Sequence, residues 1–332
     1  MIPLNSETKI RQRKQRRWVP RPPALLIEKL KSKSAPLRDM TIAAGFNFDN
    51  GLLIAADTQH GAGYRLQASK IFTKDNYPNG IRSVFAFSGD MYSARMCIQH
   101  CEAGLGQLRS TDNALELRAM IEQQVENMYA NTIPACPDPA AAAFDLVVGM
   151  WSPSSGLHAY SSRHASVIEF PGYALTGAGE YLGHYLIRPR YGPTASLEDA
   201  VLLATTALTS IKTYDENCGG NSELVVLSRG GAISNVEQLD ISQGENLTNR
   251  FWTAANRLLA VVAKPTASQE QIDEAQENFT SDIEAARRHA QATRNLQATV
   301  EKLGKDTALR IQRDSLTKLR HKRQGRKSHD QG

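Results

Sequence analysis

The segment from Met40 to Asp57, MTIAAGFNFDNGLLIAAD, constrains this chain most, because it suits little except an antiparallel hairpin. Two β-branched or aliphatic runs flank Asp49-Asn50-Gly51, whose Asn and Gly tolerate the positive φ that a tight connection needs. The second run, Leu52 to Ala56, is apolar throughout and reads as a buried strand. Asp57 ends it. A carboxylate in that place either caps the next turn or is charge-paired within a site. The hairpin begins on a hydroxyl residue, Thr41, a candidate nucleophile.

With 332 residues, 41% hydrophobic and 22% charged, the chain can bury a sizeable core and is ordinary for a soluble globular protein. Its apolar stretches are short and interrupted, so no transmembrane span and no membrane partner are expected. The basic N-terminus lacks an apolar h-region with a small-residue cleavage site, so it does not read as a secretory signal, and cytoplasmic residence is the default. Cys97, Cys101, Cys136 and Cys218 are too few and scattered for a disulfide framework. Cys97, His100 and Cys101 have a helical spacing that imitates a metal cluster, but no second pair matches them. Reduced, core-facing thiols are expected.

Charge is segregated. Residues 1–40 hold 11 Lys or Arg against 3 acids, a net of +8, and residues 301–332 hold 10 against 4, a net of +6, which leaves −9 for residues 41–300 out of the total of +5. The first 40 residues offer charge and proline (RQRKQRR, PRPP) but little to bury, so they read as a disordered basic extension or a propeptide. No zinc pattern, helix-turn-helix or aromatic stacking pattern accompanies them, which limits any nucleic-acid contact to non-specific attraction through the tails.

Strand patterns at Thr41–Phe48, Leu52–Asp57 and Arg82–Phe87 precede two helical patterns, Met91–Glu102 and Asn113–Tyr129. Further strands follow at Phe144–Trp151, Gly156–Ser161, Ser166–Phe170 and Tyr173–Thr176. A helix then opens at Gly177-Ala178-Gly179, another runs from an N-cap at Ser196 to Tyr214, and Ser222–Ser228 returns to strand. This order predicts an α+β fold, a four-layer αββα sandwich, over residues 41–250. Residues 251–332 read as a helical extension with a long polar helix over Gln269–Thr299 and a basic tail.

Five motifs in this order resemble the proteasome β-subunit family of N-terminal nucleophile hydrolases. Gly51 to Asp57 resembles the family's second strand and its aspartate, 16 residues after Thr41. Ser69-Lys70-Ile71 is similar to the strand delivering the catalytic lysine. Phe87-Ser88-Gly89-Asp90 is similar to the turn whose glycine amide makes the oxyanion hole. Gly177-Ala178-Gly179 resembles the Gly-Ser-Gly turn, and Asp215 to Gly220 the Asp-x-x-Ser-Gly-Gly segment. The resemblance covers roughly residues 41–230, and Ala178 and Cys218 stand where the family has serine.

The resemblance implies a threonine-type peptidase that needs no cofactor. A threonine hydroxyl needs an adjacent base, and an N-terminal threonine carries one in its own α-amine. Lys70 paired with Asp57 eases deprotonation, Gly89 holds the oxyanion, and Asp215 and Cys218 orient the amine. Thr41 serves only with a free nitrogen, and Met40 precedes it where self-processing members have glycine. Removal of residues 1–40 as a propeptide, translation from Met40, and an uncut non-catalytic ring subunit are the three alternatives. The resemblance also implies a peptide or protein substrate and a homo-oligomeric ring, and leaves room for an ATPase or regulatory partner.

Overall fold

The computed structural model describes residues 41–61, 65–109, 113–192, 195–285, 287–288, 302 and 306. The basic N-terminal extension, Met40, the later part of the expected polar helix and the basic tail lie outside the described residues.

Two five-stranded antiparallel sheets stack face to face. One runs β10 (Tyr173–Gly177), β1 (Ile42–Phe48), β2 (Gly51–Asp57), β11 (Ser222–Ser228), β12 (Ile233–Asn235). The other runs β5 (Ile71–Lys74), β6 (Arg82–Gly89), β7 (Phe144–Ser152), β8 (Gly156–Arg163), β9 (Ser166–Glu169). A short hairpin of β3 (Gln59–Gly61) and β4 (Arg65–Gln67) stands apart from both.

The central strands are buried on both faces, so their period-two alternation sorts apolar residues into two different cores rather than into core and solvent. On β1 and β2, Ile42, Ala44, Phe46, Leu53 and Ala55 face the helices α3 (Glu180–Ile187) and α4 (Leu197–Tyr214). Their neighbours Ala43, Leu52, Ile54 and Ala56 meet Val84, Ala86, Val147 and Trp151 of the other sheet. Phe85, Phe87, Leu146 and Val148 point outward to α1 (Met91–Gln107) and α2 (Ala114–Asn127). Cys97 and Cys101 are buried in this last core as packing thiols. Helix starts are fixed by side-chain caps: Asp90 accepts from Ser93 N on α1, and Asn113 with Glu116 and Ser196 with Asp199 form capping boxes on α2 and α4.

Beyond β12, helix α5 (Gln238–Val262) lies against α4 and β11 and runs through residue 250, where the sequence reading begins its helical extension. Residues 269–285 form a further helix, α6. Ion pairs Arg257–Glu274 at 2.6 Å and Arg250–Asp282 at 2.5 Å, with a Phe251–Phe279 ring contact, set α6 antiparallel to α5. No helix among the described residues is long and apolar enough to cross a membrane.

Gly149 of β7 packs tightly against the facing sheet, where an added Cβ would lie 2.6 Å from Leu52 Cδ2. Gly149→Val should therefore destabilise the protein by about 1–3 kcal/mol through overpacking, read as a lowered midpoint in denaturant unfolding.

Candidate active site

The site forms where the first hairpin meets the end of β6. Thr41 immediately precedes β1 and is fully buried. Its Oγ1 accepts from Gly89 N at 3.0 Å, and its carbonyl accepts from Ala178 N at 3.2 Å. Both contacts need glycine in the supporting turns. Gly89 has φ +91°, and a Cβ there would stand 2.4 Å from Ala143 O. Gly177 has φ +104°, and a Cβ there would stand 1.8 Å from Thr41 O. Behind them Ser88 Oγ donates to Thr176 Oγ1 at 3.0 Å, tying the two sheets together beside the threonine.

Asp57 and Lys70 form an ion pair at 2.5 Å with both side chains fully buried. Asp57 is thus charge-paired, and its remaining acceptor capacity is taken by backbone amides: Ile42 N at 3.2 Å on Oδ1 and Gly219 N at 2.9 Å on Oδ2. Lys70 Nζ also donates to Gln59 O. Burial lowers the Lys70 ammonium from the usual lysine range, and the Asp57 charge and hydrogen bond oppose that fall.

The β3–β4 hairpin makes this pairing possible. Ala68 N donates to Thr58 O at 3.0 Å, and the His60 ring is 3.1 Å from Ala68 O through Nε2, so the chain turns back within a few residues to deliver Lys70. The loop after α4 closes the other side. Gln59 N donates to Gly219 O at 3.1 Å, Gln59 Nε2 to Glu216 O at 3.2 Å, and Asn221 N to Thr58 Oγ1 at 2.9 Å.

Cys218 is buried on this loop, and its thiol is pushed up by burial first, then by the Asp57 and Asp215 carboxylates, against Lys70 and the Gly179 backbone. Asp215 is the C-cap residue of α4, and its Oδ1 accepts from both the backbone and side-chain nitrogens of Asn217 at 3.0 Å, so these bonds shape the turn. Thr41, Asp57, Lys70, Gly89 and Cys218 are therefore brought together, with Asp215 half-buried at the rim. Sequence reading missed Gln59, His60, the Ser88–Thr176 pair and the role of the Gly219 amide. His60 alone carried a side-chain signal, as a histidine shortly after a buried strand; the others act largely through backbone atoms or a common hydroxyl. An open cleft of about 580 Å³ begins beside Gly89, lined by Asp90, Ser93, Met96, Thr132, Cys136 and Ala142.

The layers and the grouping at the strand ends define an αββα sandwich of the N-terminal nucleophile type. Residues 40–227 match the family model described as proteasome subunit, and the chain belongs to that family. No curated protein matches it. Among solved structures it is similar to Anbu from Hyphomicrobium sp. strain MC1, as a Gly-1 mutant, at 16% identity and TM-score 0.55, covering 68% of this chain and 98% of that one. Anbu, an ancestral β-subunit, from Yersinia bercovieri aligns at 13% identity and TM-score 0.55, covering 69% and 100%. A helical assembly of the Anbu complex from Pseudomonas aeruginosa aligns at 16% identity and TM-score 0.56, covering 69% and 100%.

Removing one member of a buried ion pair strands the other. Lys70→Met should cost about 3–5 kcal/mol in chemical denaturation, and Asp57→Asn added to it should recover part of that loss. His60 gives a pH signature. Burial first, then Lys70, with Arg95 adding and Ala68 O and Asp57 opposing, hold its ring below the ordinary histidine range. As pH falls, the unfolded chain takes up this proton before the folded one, so stability drops through the ordinary histidine range and levels off below the folded value. Melts from about pH 7.5 to about pH 5 should show a smaller acid loss for His60→Gln than for the parent.

Proposed function

We propose that the chain is a threonine-type peptidase or related amidase of the proteasome-like class, acting in protein degradation, with Thr41 as nucleophile once its α-amine is free. The observation that carries this reading is the Gly89 amide on Thr41 Oγ1, at 3.0 Å, beside the buried Lys70–Asp57 pair. In the reaction the α-amine takes the hydroxyl proton as Oγ1 attacks a peptide carbonyl. The positive charge of Lys70, held by Asp57 and Gln59 O, favours the ionised oxygen and keeps the amine neutral. The Gly89 amide, which holds the hydroxyl in the resting chain, turns to the tetrahedral oxyanion, a kind of contact that supplies about 3–4 kcal/mol elsewhere. The leaving amine takes its proton from the α-ammonium, and water then releases the acyl group. Cys218 and Asp215 are proposed to orient the amine.

Either cleavage before Thr41 or translation from Met40 followed by methionine removal would free the amine. The second reading, a non-catalytic ring or docking subunit, is favoured by Met40 and by Ala178 and Cys218 in place of serines. We further propose that the chain works as an oligomer, a reading supported by its family and by the assembly of the Pseudomonas Anbu complex.

N-terminal sequencing of the protein from its native source, followed by treatment with an epoxyketone, separates these readings. A chain beginning at Thr41 should be labelled on that residue, and Thr41→Ala should lower hydrolysis by about three orders of magnitude or more. A mature chain that retains the residues before Thr41 overturns the catalytic reading.

A further inference from the structure

The family match ends at residue 227, yet the helix beyond it reaches back to the candidate site through one carboxylate. Glu245, early in α5, is 20% exposed at its side chain, and its Oε1 accepts from Lys212 Nζ at 2.6 Å and from Ser222 Oγ at 2.5 Å. Lys212, in the last turn of α4, also donates to Ser222 Oγ at 3.0 Å and to Gly220 O at 3.2 Å. The three side chains close a triangle joining α4, α5 and the first residue of β11.

That triangle sits behind Asp57. Ser222 is fully buried and stands directly opposite Asp57 in the β2–β11 ladder. Gly219, on the same segment, supplies the amide on Asp57 Oδ2. The loop is thus held between two sets of bonds. Its inner side is tied to Thr58 and Gln59, and its outer side to Lys212, whose ammonium is neutralised by Glu245. Without that carboxylate Lys212, 14% exposed at its side chain, loses the partner that fixes it beside Gly220 and Ser222. Small and polar residues bring α5 close enough for this contact: Gly244 and Thr248 are buried on the same helix, and Thr248 Oγ1 lies 3.5 Å from Thr206 Oγ1 of α4.

We propose that Glu245 is a positioning residue: by joining Lys212 to Ser222 it fixes the segment that presents the Gly219 amide to Asp57, and it makes α5 part of the support of the candidate site. The kinetic consequence, though not the structural one, rests on the catalytic reading above.

Hydrogen exchange on the full chain tests this, comparing Glu245→Ala, Glu245→Gln and Arg257→Ala. The last breaks the exposed Arg257–Glu274 pair on the same helix and serves as the control. Glu245→Ala should speed amide exchange across residues 217–222 by about tenfold and leave β7 unchanged. Glu245→Gln, which keeps an acceptor for Ser222, should fall between it and the parent, and Arg257→Ala should match the parent there. Unaltered exchange across 217–222 in Glu245→Ala, or an equal rise in Arg257→Ala, overturns the proposal. Should Glu245→Ala fail to fold, Glu245→Gln decides by the same comparison. In protein beginning at Thr41, Glu245→Ala should lower kcat with KM little changed. Faster exchange with an undiminished kcat also overturns it. An inert parent protein sinks the catalytic reading instead, and exchange alone then decides the positioning role.

Discussion

The buried Lys70–Asp57 ion pair is the constraint on which the rest of the site depends. Two charges removed from water are tolerated only with close contact and with their remaining donors and acceptors satisfied. Here Asp57 takes two backbone amides besides the ammonium, and Lys70 takes Gln59 O besides the carboxylate. Each of these partners belongs to a different stretch of chain. The pair therefore fixes the start of β1, the end of β2, the β3–β4 hairpin and the 215–221 loop relative to one another. Thr41 inherits its position from this arrangement, since the Ile42 amide next to it is one of the bonds to Asp57.

The sandwich supplies what the pair cannot supply for itself, which is exclusion of water. Alternating apolar residues on β1, β2, β6 and β7 fill the space between the sheets on one side and the space under the helices on the other. Strands buried on both faces end in turns, and it is at these turns that polar groups can be gathered at a rigid edge. Gly89 and Gly177 then let the backbone come within hydrogen-bonding distance of Thr41, where any side chain would intrude.

The parts legible in the sequence are those written in side-chain pattern. The apolar run into Asp57, the turn at Asp49-Asn50-Gly51, the capping box at Ser196 and the order of strands and helices all leave a residue-level trace, and the sandwich follows from them, although Asn50 and Gly51 make the turn without the positive φ expected of them. The β3–β4 hairpin left none, because its strands of 3 residues each are too short to show alternation. The first half of helix α5, before residue 251, was hidden for a different reason. The buried positions of the helix, Ile241, Gly244, Thr248 and Ala254, are mostly small or polar, so no apolar stripe marks the face that meets α4. The acceptor on Gln59 and the donor on Gly219 are backbone atoms, which any residue carries.

The same distinction bears on the two positions where serine is replaced. Ala178 still donates its amide to the Thr41 carbonyl, and the Cys218 segment still delivers the Gly219 amide to Asp57. Geometry at the site is thus carried by backbone groups that the substitutions leave in place. Under the proposed reaction, what changes is the movement of protons. Alanine has no hydroxyl to relay one, and the Cys218 thiol, pushed up by burial and by two carboxylates, keeps its proton and donates it weakly. In the proposed reaction the burden of moving protons then falls on the Thr41 α-amine itself, with Lys70 setting the charge around it. A site built in this way keeps its shape without the serines, and the proposed reaction then depends more heavily on the one nitrogen that only a processed chain possesses.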